Sequence, residues 1–167
     1  MSSAVSGGIL LYRRRDGILE LLLAHPGGPY WAGRDAGAWT IPKGLADPDE
    51  ELASVAIREF TEETGFELAA IAVDPSRAPL SLGEIALKSG KVVHGWAVEG
   101  DLDPAGSTSN EAEIEWPPRT GRRMVIPEID RVAWFGAEEA RRRIHPAQAA
   151  FIERLEAALA ETIRPLG

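Results

Sequence analysis

The sequence contains no cysteine, and it is short of positive charge and of long apolar runs. Without cysteine the chain can form neither disulfides nor a thiolate zinc site, which is consistent with the reducing cytoplasm, where we expect it to act. No apolar stretch reaches the roughly 20 residues that a membrane-spanning helix needs. No basic segment precedes an apolar run at the N-terminus, so we expect neither a leader peptide nor membrane association.

Acidic side chains outnumber basic ones by 26 to 18, and the net charge is −8. This balance argues against a nucleic-acid backbone or an anionic membrane as the main partner. The length of 167 residues fits one domain with a sizeable core, so we predict a single domain over residues 1–167.

Residues 44–66 read GLADPDEELASVAIREFTEETGF, and this stretch predicts a loop followed by a helix that ends within the stretch. Asp47 is a good N-cap, and Glu50 sits where a capping-box carboxylate reaches back to the cap. The helix is therefore predicted to begin directly after Asp47. Gly65 is the residue expected just past its C-terminus.

Two sets of side chains share neighbouring faces of this predicted helix. One arc collects apolar side chains that can bury against a sheet: Ala53, Ala56, Ile57 and Phe60. Glu59, Glu62 and Glu63 fall on the adjoining arc, because spacings of three and four residues bring side chains together. If these acids are exposed, they form an ordinary solvated surface, and the repulsion within each pair costs only a few tenths of a kcal/mol. Partly desolvated, each pair would cost roughly 3 kcal/mol, and the cluster would then need a divalent ion such as Mg²⁺ or Mn²⁺.

The whole stretch resembles the Nudix box of the MutT-like pyrophosphohydrolases, G-x5-E-x7-R-E-U-x-E-E-x-G-U, in which U is a bulky apolar residue. Every fixed letter of that box is filled at the right spacing, by Gly44, Glu50, Arg58, Glu59, Glu62, Glu63 and Gly65. Phe60 and Phe66 occupy the two apolar positions, where aliphatic residues are usual. By this resemblance, Glu50, Arg58 and Gly65 hold the helix and its loop in register rather than contact substrate.

The resemblance implies the Nudix α/β/α sandwich with a mixed central sheet. It also implies hydrolysis of a nucleoside diphosphate linked to another group. By resemblance, Glu59, Glu62 and Glu63 bind Mg²⁺ or Mn²⁺, with the carbonyl of Gly44 as a further ligand. Glu62, or a glutamate from another loop, would take the proton of the attacking water.

The loop at residues 25–44 is dense in glycine and proline and supplies candidate substrate-binding residues. Tyr30 and Trp31 either stack a nucleobase or fill part of the core. Lys43 directly precedes the first glycine of the box, where a cation could reach a phosphate as a point charge.

Residues 100–128 form a second long loop, and loops of this length are usually functional or disordered. Glu111, Glu113 and Glu115 recur at every second position, so a short extended piece would aim all three to one side. Many Nudix enzymes draw a further carboxylate from a loop outside the box, as metal ligand or general base. Glu115 is the first candidate for this role, because a stiff Pro-Pro turn follows it, and Glu113 is the second. The alternative is a solvated acidic loop.

The remaining apolar patterns predict two hairpins, a last strand and two C-terminal helices. The hairpins turn at Asp16-Gly17 and Ser89-Gly90, the strand covers residues 130–135, and the helices cover 137–144 and begin again at Pro146. Strands and hairpins around one motif helix indicate an α+β class rather than a regular βαβ series. The apolar stripe of the last helix packs against the body or a second subunit, so a monomer and a homodimer both stay open.

Substrate choice depends on residues outside the box. Small Nudix chains of this build include diadenosine tetraphosphate hydrolases, so a dinucleoside polyphosphate is the first expectation. Many of those enzymes, however, carry a tyrosine where this chain has Leu82-Gly83-Glu84. A MutT-like pyrophosphohydrolase of nucleoside triphosphates, oxidised dNTPs included, is the near alternative. A catalytically silent nucleotide-binding regulator is the alternative of another class, although a sensor has no need of every metal carboxylate.

Overall fold

The computed structural model describes residues 4–163, with side chains described up to Thr162. The strands are β1 (Val5–Arg15), β2 (Ile18–Pro26), β3 (Lys43–Leu45), β4 (Leu80–Ala86), β5 (Val92–Glu99), β6 (Glu111–Glu115), β7 (Arg123–Pro127) and β8 (Ile129–Gly136). The helices are α1 (Leu52–Thr64), α2 (Leu68–Ile71), α3 (Ala137–Arg143) and α4 (Ala149–Ile163), with 3-10 turns at Pro104–Gly106 and Pro146–Gln148. Within this described part, no helix is long and apolar enough to cross a membrane.

The main sheet is mixed, as predicted. Its strands lie in the order β4-β5-β1-β2-β8, and β3 pairs with the start of β1. β1 runs parallel to β5, whereas the β1-β2, β2-β8 and β4-β5 pairs are antiparallel. β6 and β7 form a separate two-stranded hairpin, which we call the arm (residues 111–127). The predicted loop 100–128 is therefore largely an ordered hairpin.

Alternation along the central strands sends side chains into two cores, one on each face of the sheet. Leu10 of β1 packs with Phe151 of α4, whereas its neighbours Ile9 and Leu11 pack with Phe60 of α1. Helices thus cover both faces, which confirms the predicted α+β class and the α/β/α sandwich. The apolar stripe of α4 packs on this chain's own sheet, the first of the two alternatives left open by the sequence.

The box helix begins later than predicted. Its N-cap is Glu51, with no side-chain cap, and its first residue is Leu52 rather than the residue after Asp47. The Asp47 N–H donates to Oε1 of Glu50 at 3.0 Å, which is the Glu50 half of a capping box, whereas the Glu50 N–H donates to the backbone carbonyl of Asp47 at 3.0 Å and closes a turn. The Glu50 carboxylate also pairs with Arg58 at 3.2 Å, so it bridges the turn to the helix instead of lying in the first helical turn.

The buried face of α1 is also rotated from the predicted one. Ile57, expected in the core, is 37% exposed, and Val55 is fully buried in its place. Glu59 and Glu63 lie on the buried side of the helix, at 8% and 7% exposure. The helix packs across Gly7 of β1, where a Cβ would lie 2.6 Å from the Leu52 carbonyl oxygen, and this close approach sets which side faces the sheet.

Candidate active site

The C-terminal turns of α1 lie against β3, which places the box glutamates beside Lys43 and Gly44. A Cβ at Gly44 would lie 2.0 Å from Cδ of Glu59, so only glycine lets this carboxylate come so close to the backbone. The backbone N–H of Lys43 donates a hydrogen bond of 2.9 Å to Oε2 of Glu63. The first glycine of the box is therefore a packing requirement of its first glutamate in α1.

The end of the helix is fixed by Gly65, as the sequence predicts. Its φ of 81° is left-handed, and a Cβ there would lie 2.2 Å from Oγ1 of Thr108. The N–H of Thr108 donates to the carbonyl of Thr64, and the N–H of Asn110 donates to that of Glu62, both at 2.9 Å. The segment that leads into the arm thus satisfies carbonyls of the last helical turn.

Arg58 connects three carboxylates around the helix. Its Nη1 lies 3.0 Å from Glu59 and 3.2 Å from Glu62, and its Nη2 lies 3.2 Å from Glu50. The Arg58 side chain is 41% exposed, so these pairs contribute little to stability. Their effect is on geometry, because they hold the box loop and two box acids in one arrangement.

The acids are partly desolvated, which was the condition for a metal site. Burial raises the pKa of Glu63 from 4.5 to about 8, against the opposing hydrogen bond and charge of Lys43. Burial also raises the pKa of Glu59, and the charge of Glu62 raises it further. The charge of Glu128 raises the pKa of both buried acids. The cluster therefore carries more negative charge than its surroundings stabilise.

The donor set fits a divalent cation. Among residues 4–163, no three acidic or histidine side chains are arranged as a closed set of metal ligands. Arg58 holds Glu59 and Glu62, and the Lys43 amide holds Glu63. Carboxylate oxygens are the hard ligands that Mg²⁺ and Mn²⁺ prefer, and a cation would relieve the charge that raises these pKa values.

Glu113 and Glu115, expected beside the box, lie on the exposed arm and bond within it. Glu113 pairs with Arg123 at 3.0 Å across the hairpin. The N–H of Arg119 donates to Oε1 of Glu115 at 2.6 Å. In the described contacts neither carboxylate is joined to the box. The carboxylate from outside the box whose charge acts on the cluster is Glu128, which the sequence analysis did not single out.

Glu128 lies between β7 and β8 and is held by its backbone. Its N–H donates to the carbonyl of Asn110, and its carbonyl accepts from the N–H of Gly27, both at 2.9 Å. The base of the arm therefore meets the start of the loop at residues 25–44 at Glu128. We call this loop, which carries Tyr30 and Trp31, the aromatic loop. Glu128 directly precedes β8, and this position in the sequence could have identified it as a candidate site residue. β8 begins at the end of the sheet where β2 ends, so a residue just before it lies beside the loop that follows β2.

Tyr30 and Trp31 lie one turn beyond this contact. The N–H of Trp31 donates to the carbonyl of Gly28, and a Cβ at Gly28 would lie 2.7 Å from the Ile126 side chain of the arm. Tyr30 is 52% exposed and meets Trp31 edge to face, with 4.9 Å between ring centroids. The structure thus brings the aromatic pair to the base of the arm, where Tyr30 is open to solvent and Trp31 is half-buried.

A mixed sheet between two helical layers carries a desolvated acidic helix beside a lysine, which is the arrangement expected of a pyrophosphohydrolase from the resemblance of the box. The sequence profile of the NUDIX domain matches residues 3–155. The chain therefore belongs to the Nudix family, and the resemblance read from the box is confirmed.

Solved structures share this fold. An Ap4A hydrolase of C. elegans, solved as a binary complex, is 21% identical with a TM-score of 0.66, and the match covers 93% of this chain and 98% of that one. The NUDIX domain of Shewanella oneidensis NrtR, complexed with ADP ribose, is 15% identical with a TM-score of 0.64 and coverages of 95% and 90%. The E. coli ORF135 protein is 22% identical with a TM-score of 0.56 and coverages of 99% and 96%. No curated protein sequence matches the chain.

Proposed function

We propose that the protein hydrolyses a phosphoanhydride bond in a dinucleoside polyphosphate, with diadenosine tetraphosphate as the first candidate and Mg²⁺ or Mn²⁺ as cofactor. The observation that carries the proposal is the buried pair Glu59 and Glu63 beside Lys43, whose pKa values are raised by burial and further by the charge of Glu128. The likeness to the C. elegans Ap4A hydrolase, which spans nearly the whole of both chains, supports this substrate class.

Glu59, Glu62 and Glu63, with the carbonyl of Gly44, would hold the ion. When bound, a divalent cation neutralises phosphate oxygens and lowers the pKa of water. In place of Glu113 and Glu115, we assign the role of the carboxylate from outside the box to Glu128.

The chain's own groups then have separate tasks. Glu62 is the candidate general base, because its side chain is 38% exposed and can face a water, whereas Glu63 is buried. Arg58 keeps Glu62 in place through its contact of 3.2 Å. Lys43 supplies a positive charge next to the acids, where the phosphates of a substrate would lie. Tyr30 offers an exposed ring on which a nucleobase can stack.

The proposal is tested by turnover of a substrate panel with Mg²⁺ or Mn²⁺, with every product identified. The panel contains diadenosine tetraphosphate, ADP-ribose, nucleotide sugars, and normal and oxidised dNTPs. Release of ATP plus AMP from diadenosine tetraphosphate would support the proposal. Pyrophosphate from a dNTP would move the assignment to a triphosphate pyrophosphohydrolase. Binding of nucleotides without turnover of any substrate would favour the regulator.

A further inference from the structure

His25 ends β2 just ahead of the aromatic loop, and its imidazole is fully buried. Its Nε2 lies 2.6 Å from the carbonyl oxygen of Arg34, and its Nδ1 lies 3.0 Å from each carboxylate oxygen of Asp130. A carbonyl oxygen can only accept, so Nε2 carries a proton. A further proton must lie between Nδ1 and Asp130, because two bare acceptors would repel each other. The ring therefore bonds the loop on one side and β8 on the other.

A break in strand register aims Asp130 at this ring. His25 pairs with Arg131 and Pro26 pairs with Ile129, so Asp130 is the extra residue of a bulge in β8. Bulges turn a side chain away from the direction that regular pairing would give it. Here the bulge supplies a fixed partner for Nδ1, and this fixes the direction in which Nε2 points.

Arg34, whose carbonyl His25 holds, in turn holds Tyr30. The Arg34 guanidinium lies 4.2 Å from the centroid of the Tyr30 ring, and its Nε donates to the Tyr30 carbonyl at 3.1 Å. Tyr30 then meets Trp31 edge to face. A continuous set of contacts thus runs from the buried imidazole to the exposed Tyr30 ring and its neighbour Trp31.

We propose that His25 is a positioning residue, which sets the orientation of the Tyr30–Trp31 pair for the nucleobase of the substrate by holding the backbone of Arg34. The inference rests on the proposed function, in which this pair stacks a base. Both nitrogens of the fully buried ring are bonded, so an apolar side chain at this position would leave the Arg34 carbonyl and the Asp130 carboxylate without these contacts.

Two isosteric variants separate the two bonds of the ring. In His25→Gln the amide nitrogen stands near the position of Nε2 and keeps the donor to Arg34. In His25→Asn the amide nitrogen stands near Nδ1 and keeps the donor to Asp130, but the bond to Arg34 is lost. We expect His25→Asn to raise KM for diadenosine tetraphosphate about tenfold with kcat within about twofold, and His25→Gln to stay within about threefold of the wild type in both.

A double-mutant comparison tests whether the effect passes through the aromatic pair. With Tyr30→Ala already present, His25→Asn should raise KM no further, whereas an effect through general loosening of the fold would add. Arg34→Ala, at an exposed side chain, should raise KM as His25→Asn does, and it replaces that variant if the asparagine protein does not fold. Equal KM values for the His25→Asn or Arg34→Ala protein and the wild type would overturn the inference.

Hydrogen exchange of residues 28–36 gives a readout that needs no turnover. It should be faster in His25→Asn than in His25→Gln, with α1 unchanged in both. If the wild type hydrolyses no substrate of the panel, the proposed function fails, and the affinity for ADP measured by calorimetry replaces KM. An unchanged ADP affinity, or unchanged exchange in the loop, would then overturn the role of His25 on its own.

Discussion

The buried carboxyl of Glu63 makes the stability of the ion-free protein depend on pH. Its pKa of about 8 in the folded state lies far above the usual 4.5. Between these two pH values the native protein keeps a proton that the unfolded chain has released. The free energy of unfolding must therefore fall as pH rises from about 4.5 to about 8, and level off above that.

The size of the effect follows from the same two values. At about 1.4 kcal/mol per pKa unit, the difference between 4.5 and about 8 corresponds to a loss of up to about 5 kcal/mol. Glu59, whose pKa burial also raises, adds to the loss in the same direction. Carboxyls with lowered pKa values, such as Asp35 and Glu50, lose their stabilisation only as pH falls below this window.

The assay is urea unfolding in the presence of a chelator at pH 5.0, 6.5 and 8.0. Glu63→Gln should flatten the pH dependence, because the amide accepts the Lys43 hydrogen bond without a charge. Glu153→Gln, on the exposed side of α4, is the matched control and should keep the slope of the wild type. If Glu63→Gln loses stability between pH 5 and 8 as steeply as the wild type does, the carboxyl is not the group responsible and the reasoning is wrong.

Three further substitutions test the site. Glu62→Gln should lower Mg²⁺-dependent turnover by about 10²- to 10⁴-fold with an unchanged thermal midpoint, and full activity in steady-state kinetics would remove it from catalysis. Gly44→Ala should displace the Glu59 carboxylate and lower turnover about a hundredfold, while Gly136→Ala, with open space for a Cβ, should match the wild type in the same assay. Glu128→Gln removes a like charge, so it should lower the pKa of Glu63. In urea unfolding across the same pH values, the fall in the free energy of unfolding should then end at a lower pH. An unchanged pH dependence would place this carboxylate outside the cluster.

The parts of the fold that the sequence predicted well are those set by local chemistry. The turn at Asp16-Gly17 needs two residues with positive φ, which this pair supplies at 53° and 78°. Gly65 ends α1 because the left-handed conformation is open to glycine without cost. The spacing of the box is also local, since three- and four-residue steps along one helix bring its acids together.

What the sequence could not supply depends on partners far along the chain. The buried side of α1 is chosen by the close approach at Gly7, so periodicity alone placed Ile57 inside and missed the burial of Glu63. In the arm, Ala112 and Ile114 pair across the hairpin with Ile126 and Met124, and two strands of five residues each are too short to reveal this pairing by their own alternation. His25 and Asp130 are 105 positions apart, and no local pattern links them.

The burial of the acids ties the stability of this fold to its activity. An apolar side chain in place of Glu63 would pack against the sheet and would raise stability at neutral pH, because the buried carboxyl there has to keep a proton that the unfolded chain releases. The glycines at positions 7 and 44 instead favour burial of the acids, because they let α1 and the Glu59 carboxylate lie close against the strands. A divalent cation that binds the ionised acids would return the lost free energy, since binding only to the folded form stabilises it by mass action. The protein should therefore be most stable in the metal-bound state in which it is proposed to act.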